Sequence, residues 1–220
     1  MYDVIIIGAG PAGIFGALEV VKLKPEWKVA LIEKGCVIED RKCLLRDGLK
    51  VCPSCPVCGL LSGWGGAGAF SDGKLTLTPE VGGNLVDYME YSQVEELINY
   101  CDGIYLDYGA TDVVYGKNKA DFADIEDAAN LAELRLVHSP VRHLGTERSL
   151  DVLKNMQDFL AQKIDIINNT MVESLVIENA EIKGVRTLGG KTITARYTIV
   201  APGREGADWL SAEFAKNKIK

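Results

Sequence analysis

The sequence lacks any apolar stretch long enough to cross a bilayer, and its opening, MYDVIIIGAG, has only residues 4–7 as an apolar run before a glycine turn. Spanning helices need about 20 apolar residues and secretory leaders about 7–15, so a cytoplasmic protein with no membrane partner is expected. Positive charge is also scarce: 24 Lys and Arg stand against 31 Asp and Glu, for a net charge of -7. The counterion release that drives nucleic-acid binding therefore has no basic footprint to act on. No nucleic acid is expected as a partner, and a small-molecule substrate is. Internal repeats and low-complexity segments are absent, and histidine is nearly so, at two residues.

What is present fits a folded domain. Hydrophobic residues make up 47% of the 220 and charged residues 25%, enough to build one core and room for a small second one. Residues 3–7, DVIII, are continuous and β-branched, as in a strand buried on both faces of a parallel sheet. From Pro11 to Leu23 the apolar residues Ile14, Phe15, Leu18, Val20 and Val21 recur at helical spacing, with Pro25 beyond the exit. Residues 28–33, KVALIE, read as a second buried strand. Strand, helix and strand in this span make a right-handed βαβ unit.

Residues 35–83 show no period and read as long loops with one short helix. Helices are expected over 84–100 and 121–135, with a weak strand at 104–108 and a GKNK turn between them. A further helix is expected over 149–163, capped by Thr146 or Ser149, followed by a β-meander that returns to a buried strand ending in Ala201, Pro202 and Gly203. The expected fold class is α/β: a Rossmann-like domain with a parallel sheet, a β-meander and an inserted helical region. Residues 1–83 and 146–220 would form the binding domain and 84–145 a substrate-side insertion.

The chemistry-bearing motif is GAGPAG, residues 8–13. Gly8 permits the tight turn, Gly10 lets the backbone approach a pyrophosphate, and Gly13 lets helix and sheet pack closely. Ala9, Pro11 and Ala12 complete the loop, and the helix start beyond it presents free N–H donors and a positive dipole end to an anion. Glu33 ends the second strand twenty residues after Gly13, where a carboxylate accepts hydrogen bonds from ribose hydroxyls and disfavours a 2′-phosphate. This unit alone does not separate FAD from NAD.

Three segments together resemble the glutathione-reductase-type FAD flavoproteins, and among them bacterial FAD-dependent dehydrogenases of unassigned substrate. They are VIIIGAGPAG with Glu33 and Lys34; LSGWGGAGAFSDGKL, residues 61–75; and the meander with its APG end, residues 172–203. The resemblance implies FAD as cofactor, a flavin-facing loop at Gly63, Trp64, Gly65, Gly66 and Ala67, an adenine contact near Val172, and a pyrophosphate edge at Ala201, Pro202 and Gly203. It implies an oxidoreductase passing hydride through flavin N5, with NAD(P)H as the electron donor. Family members commonly run to about twice this length, and their late Gly-Asp motif has no counterpart here, so the chain is expected to correspond to the amino-terminal part of the family domain.

Ser71, Asp72, Lys74 and His143 are weak catalytic candidates, the first three because they form a dense polar set beside the presumed ring; each has the alternative of a turn cap or a solvated side chain. Cys43, Cys52, Cys55 and Cys58, three of them in C-x-x-C-x-x-C, could hold zinc or an iron–sulfur cluster, act as redox thiols, or simply pack. No metal ligand is assigned. Two rival functions stay open: a non-catalytic dinucleotide-binding or redox-sensing module, and an NAD-dependent dehydrogenase.

Overall fold

The computed structural model describes residues 1–219. Its centre is a six-stranded sheet built from β1 (Tyr2–Ile7), β2 (Val29–Ile32), β5 (Asp165–Ile167), β6 (Val172–Glu178), β7 (Glu181–Thr187) and β8 (Thr192–Val200), in the order β5-β2-β1-β8-β7-β6. The first four strands of that order run parallel, and β7 and β6 join antiparallel as the meander. Every residue of β2, and residues 4–7 of β1, are buried, as expected of parallel strands covered on both faces. The fold is α/β and Rossmann-like, as expected.

Helix α1 (Pro11–Leu23) crosses from β1 to β2. Its inner face is Gly13, Ile14, Ala17 and Leu18, at i, i+1, i+4 and i+5 spacing, and all four are buried. Val172, Leu175, Val185, Ile193 and Ala195 of the meander join Ile5, Ile7, Ala30 and Ile32 in one core cluster.

The chain divides into two compact units, residues 1–70 with 153–220, and residues 71–152. The expected insertion, 84–145, lies inside the second. That unit contains a short antiparallel pair, β3 (Lys74–Thr76) with β4 (Val141–His143), and the helices α2 (Tyr91–Asp107) and α3 (Ala123–Leu131). Helix α4 (Gly145–Ala161) starts in the second unit and ends in the first. Among the described residues no helix is long and apolar enough to cross a membrane.

Three local expectations are corrected. Residues 104–107 are not a strand but the last turn of α2, and Tyr108 is its C-cap. The apolar positions 94, 97, 98, 101, 104, 105 and 108 continue one helical stripe, and a Glu90–Gln93 capping box starts the helix. Thr146 and Ser149 do not cap the fourth helix: both lie within it, and Ser149 is buried. Residues 35–83 contain 3₁₀ turns at Ile38–Asp40 and Gly66–Phe70 and the strand β3. A fifth helix, α5 (Ala207–Asn217), follows the APG turn and was not foreseen.

Candidate functional site

The carboxyl ends of β1, β2 and β8 meet where Gly8 N–H donates to Ile32 O at 2.8 Å and Ala201 N–H donates to Ile7 O at 2.9 Å. Beyond these ends opens a cleft of about 830 Å³, the place where open parallel sheets bind ligands. Gly8 has φ +99°, and a Cβ on it would stand 2.3 Å from Ala201 O. A Cβ on Gly13 would stand 1.9 Å from Gly8 O, so α1 can lie against the turn only with glycine there. Gly10 is different: its φ of -76° suits any residue, and a Cβ on it would meet nothing within 4 Å. The start of α1 has no side-chain cap, no acidic residue in its first turn and Pro11 at its head, leaving its first donors and dipole end for an anion.

Glu33 is 6% exposed. Its Oε1 accepts from Gly35 N–H at 2.8 Å and Gly63 N–H at 2.9 Å, and its Oε2 from Ala9 N–H at 2.8 Å. A carboxylate offers about four acceptor positions, so the backbone occupies three and leaves one beside the cleft. Lys34 pairs with Glu205 at 2.9 Å, and the Ser62 hydroxyl donates to the same carboxylate. Burial alone would raise the Glu205 carboxyl, but the Ser62 hydroxyl and the Lys34 ammonium outweigh it and hold the group below its ordinary value.

The glycine-rich loop is held from its other side by Arg41, which is 5% exposed. Its Nε donates to Gly59 O at 3.1 Å, Nη2 to Leu60 O at 2.9 Å, and Nη1 to both Trp64 O and Gly66 O at 2.7 Å. The guanidinium also lies 4.8 Å from the centre of the Phe70 ring. Burial pushes Arg41 down from its ordinary value, while the charges of Glu33, Cys36 and Cys58 oppose the shift.

Of the residues expected at a cofactor, Gly8, Gly10, Pro11, Glu33, Lys34, Gly66, Ala67, Val172, Ala201, Pro202 and Gly203 line the cleft. Ala9, Ala12, Gly13, Gly63, Trp64 and Gly65 are not part of that lining. Ala9 and Gly63 orient Glu33, and Ala12 is exposed in the first turn of α1. Gly65 N–H donates to Ala9 O at 2.8 Å, tying the loop to the first turn. Trp64 is wholly buried and its indole N–H donates to Leu153 O at 2.8 Å, so it anchors the loop and does not form the cleft surface. Leu61 and Ser62 of the segment 61–75 line the cleft as well, and sequence reasoning missed Thr170, Met171, Arg204, Glu205 and Trp209, which also line it. Arg204 and Glu205 directly follow the APG turn, so extending that motif by two residues would have found them.

Ser71, Asp72, Lys74 and His143 come together in the second unit and none lines the cleft. Lys74 and His143 are register partners in the β3–β4 pair, and Lys74 Nζ stands 2.7 Å from Asp72 Oδ2. That lysine's hydrogen bond, with weaker help from His143, holds the Asp72 carboxyl below its ordinary value. Ser71 Oγ accepts from Gly73 N–H at 3.2 Å, the turn-capping alternative. The six cysteines are free thiols, with Cys52 and Cys55 exposed and Cys43 and Cys58 half-buried. Among the described residues no group of three or more His, Cys, Asp or Glu side chains is arranged to hold a metal ion.

No protein-family model matches the chain. A protein of Clostridium beijerinckii, itself described only as uncharacterized, is 25% identical over 218 residues, which take in 97% of this chain and 33% of that protein. Among solved structures, glycine oxidase from Bacillus cereus superposes with a TM-score of 0.52 at 19% identity, over 96% of this chain and 58% of that one. L-amino acid deaminase from Proteus vulgaris gives 0.56 at 12% identity, over 100% and 50%. THI4 from Thermovibrio ammonificans gives 0.53 at 14% identity, over 100% and 64%. The chain thus spans about a third of the curated relative's length and half or somewhat more of these structures. At such identities the likeness establishes the shared fold.

Proposed function

We propose that this chain binds FAD in the cleft at the carboxyl ends of β1, β2 and β8, and acts as, or within, an FAD-dependent oxidoreductase. The observation that carries the reading is one open cleft bounded by an uncapped, acid-free helix start, the Gly8–Gly10 turn and Glu33. Its volume, about 830 Å³, falls in the range of roughly 300–1,000 Å³ typical of ligand sites. The start of α1 suits a pyrophosphate, because its N–H donors and dipole favour negative charge. Glu33 has one acceptor position left for a ribose hydroxyl, and its charge disfavours a 2′-phosphate. Gly10 and Gly203, whose Cβ atoms would meet nothing within 4 Å, let a ligand reach the backbone.

FAD, when bound, supplies hydride transfer at N5 of its ring. The chain's own residues position it: α1 and the Gly8–Gly10 turn take the phosphates, Glu33 the ribose, and Gly66 and Ala67 form the wall beyond. NAD(P)H is the proposed electron donor; the chain's second G-x-G-x-x-G, residues 63–68, does not join a strand to an α-helix, so it marks no separate dinucleotide site. The named neighbours include a glycine oxidase, an L-amino acid deaminase and a 3-ketosteroid dehydrogenase. One fold carries substrates as different as these.

A second reading is a non-catalytic dinucleotide-binding module, since the phosphate- and ribose-binding groups that line the cleft would serve a structural dinucleotide equally. Purified protein separates the possibilities. Flavin absorbance that bleaches on addition of NAD(P)H supports the oxidoreductase, and flavin that no donor bleaches supports the module. Colourless protein that is stabilised by NAD instead would replace FAD with NAD.

A further inference from the structure

Arg41 is a buried cation with an unusual set of partners. Four of its hydrogen bonds go to backbone carbonyls of one loop, at Gly59, Leu60, Trp64 and Gly66. No carboxylate lies within ion-pairing distance of it among the described residues. Burying a guanidinium this way is costly unless its donors are filled and an opposing charge is near. The opposing carboxylate charge that acts on it is Glu33, which takes the Gly63 N–H of the same loop. The loop is thus held between an anion that takes its Gly63 N–H and a cation that collects four of its carbonyls.

Peptide planarity gives this arrangement a direction. In a trans peptide the C=O and the following N–H point opposite ways. With Gly66 O drawn to Arg41, the N–H of Ala67 is turned away from Arg41, and Ala67 lines the cleft. We propose that Arg41 is the positioning residue of the cleft's glycine-rich wall: it holds the loop carbonyls on the far side, turns the Ala67 N–H toward the ligand, and adds a buried positive charge that favours an anionic group there. Within the FAD reading, on which the ligand's identity rests, that group belongs to the cofactor. Lysine is a poor substitute because its three donors radiate from one point, whereas the planar fork of arginine reaches carbonyls in several directions.

The test uses Arg41→Gln and Arg41→Lys in the full chain, with Val185→Ala in the meander core as a control that lowers stability away from the loop. Two readouts are taken: hydrogen exchange of backbone amides 59–68 in the ligand-free protein, and FAD affinity by flavin fluorescence. Arg41→Gln is expected to speed exchange across the loop and to weaken FAD binding by about tenfold or more, with Arg41→Lys intermediate and Val185→Ala changing neither. Unchanged loop exchange in Arg41→Gln overturns the proposal, as does faster exchange with FAD affinity kept within about twofold, since Arg41 would then only stabilise the fold. If Arg41→Gln does not fold, the same two readouts on Arg41→Lys decide. A wild-type chain that binds no FAD sinks the FAD reading and leaves the exchange measurement to judge whether Arg41 holds the wall.

Discussion

The two compact units bury their apolar side chains to different extents. In the first, β1 and β2 are covered almost throughout, and Ile14, Trp64, Met156 and Leu160 are closed off from solvent around them. In the second, Val94, Leu144 and Val152 are the only buried apolar side chains among the described residues, while Tyr88, Leu106, Tyr115, Leu131 and Leu134 are open. What ties the second unit together is polar. Arg142 meets Asp102 through two bonds of 2.6 Å, with side chains 5% and 12% exposed, and also donates to Thr111 O. The cleft therefore rests on a packed core, whereas the second unit rests on a small core and a buried Arg142–Asp102 tie, and local opening should start in the second.

The most disruptive way to test that contrast is Arg142→Ala. Removing one member of a buried pair strands the other and costs about 3–5 kcal/mol, here confined to the second unit. Native-state hydrogen exchange should show lost protection in α2 and in β3–β4, with β1, β2 and β8 unaffected. Equal loss in both units would mean that they open as one. The converse variant is Gly13→Val, which forces side-chain atoms onto Gly8 O and should cost about 3 kcal/mol, read as a shift of the denaturation midpoint of the first unit. Preserved stability would show that the turn and α1 can separate without penalty.

Glu33→Gln should cost about 2 kcal/mol, because the amide nitrogen cannot accept from the backbone donors that now share the carboxylate. A neutral result in urea denaturation would remove Glu33 as the tie between turn and loop. The smallest effect concerns pH. Glu205 sits below its ordinary value of 4.5, so its contribution to stability is present above that value and is lost as pH falls through the lower, folded-state one. Wild type should exceed Glu205→Gln in stability near neutral pH, and the gap should narrow as pH falls below the ordinary carboxyl value. A gap that is constant with pH would mean that the Lys34–Glu205–Ser62 contact contributes nothing through its charge.

The βαβ start was legible because three signals agree there: a β-branched run, glycines with separate steric duties, and apolar residues at helical spacing. The meander was legible from its turn residues. The end of α2 was not, since Ile104, Tyr105 and Leu106 in isolation look β-prone and only the stripe running back to Val94 shows them to be helical. At the site, Gly8, Gly10 and Glu33 could be read because each answers to a motif with fixed spacing. Arg41 could not: its partners are backbone carbonyls, which leave no mark in side-chain identity. Trp64 was read as a cofactor contact from its place among glycines, yet its role depends on Leu153 O, far away in sequence.

Gly10 offers the most direct test, because there fold and binding can be separated. Its backbone suits any residue and its missing Cβ points into open space, so Gly10→Val should cost no more than about 1 kcal/mol, the loss of a glycine helix cap, while filling the place where a pyrophosphate would lie. Titration of both proteins with FAD should show saturable binding by wild type and its loss in Gly10→Val. Equal affinity in the two proteins, or no binding by either, would contradict a dinucleotide seated at the start of α1.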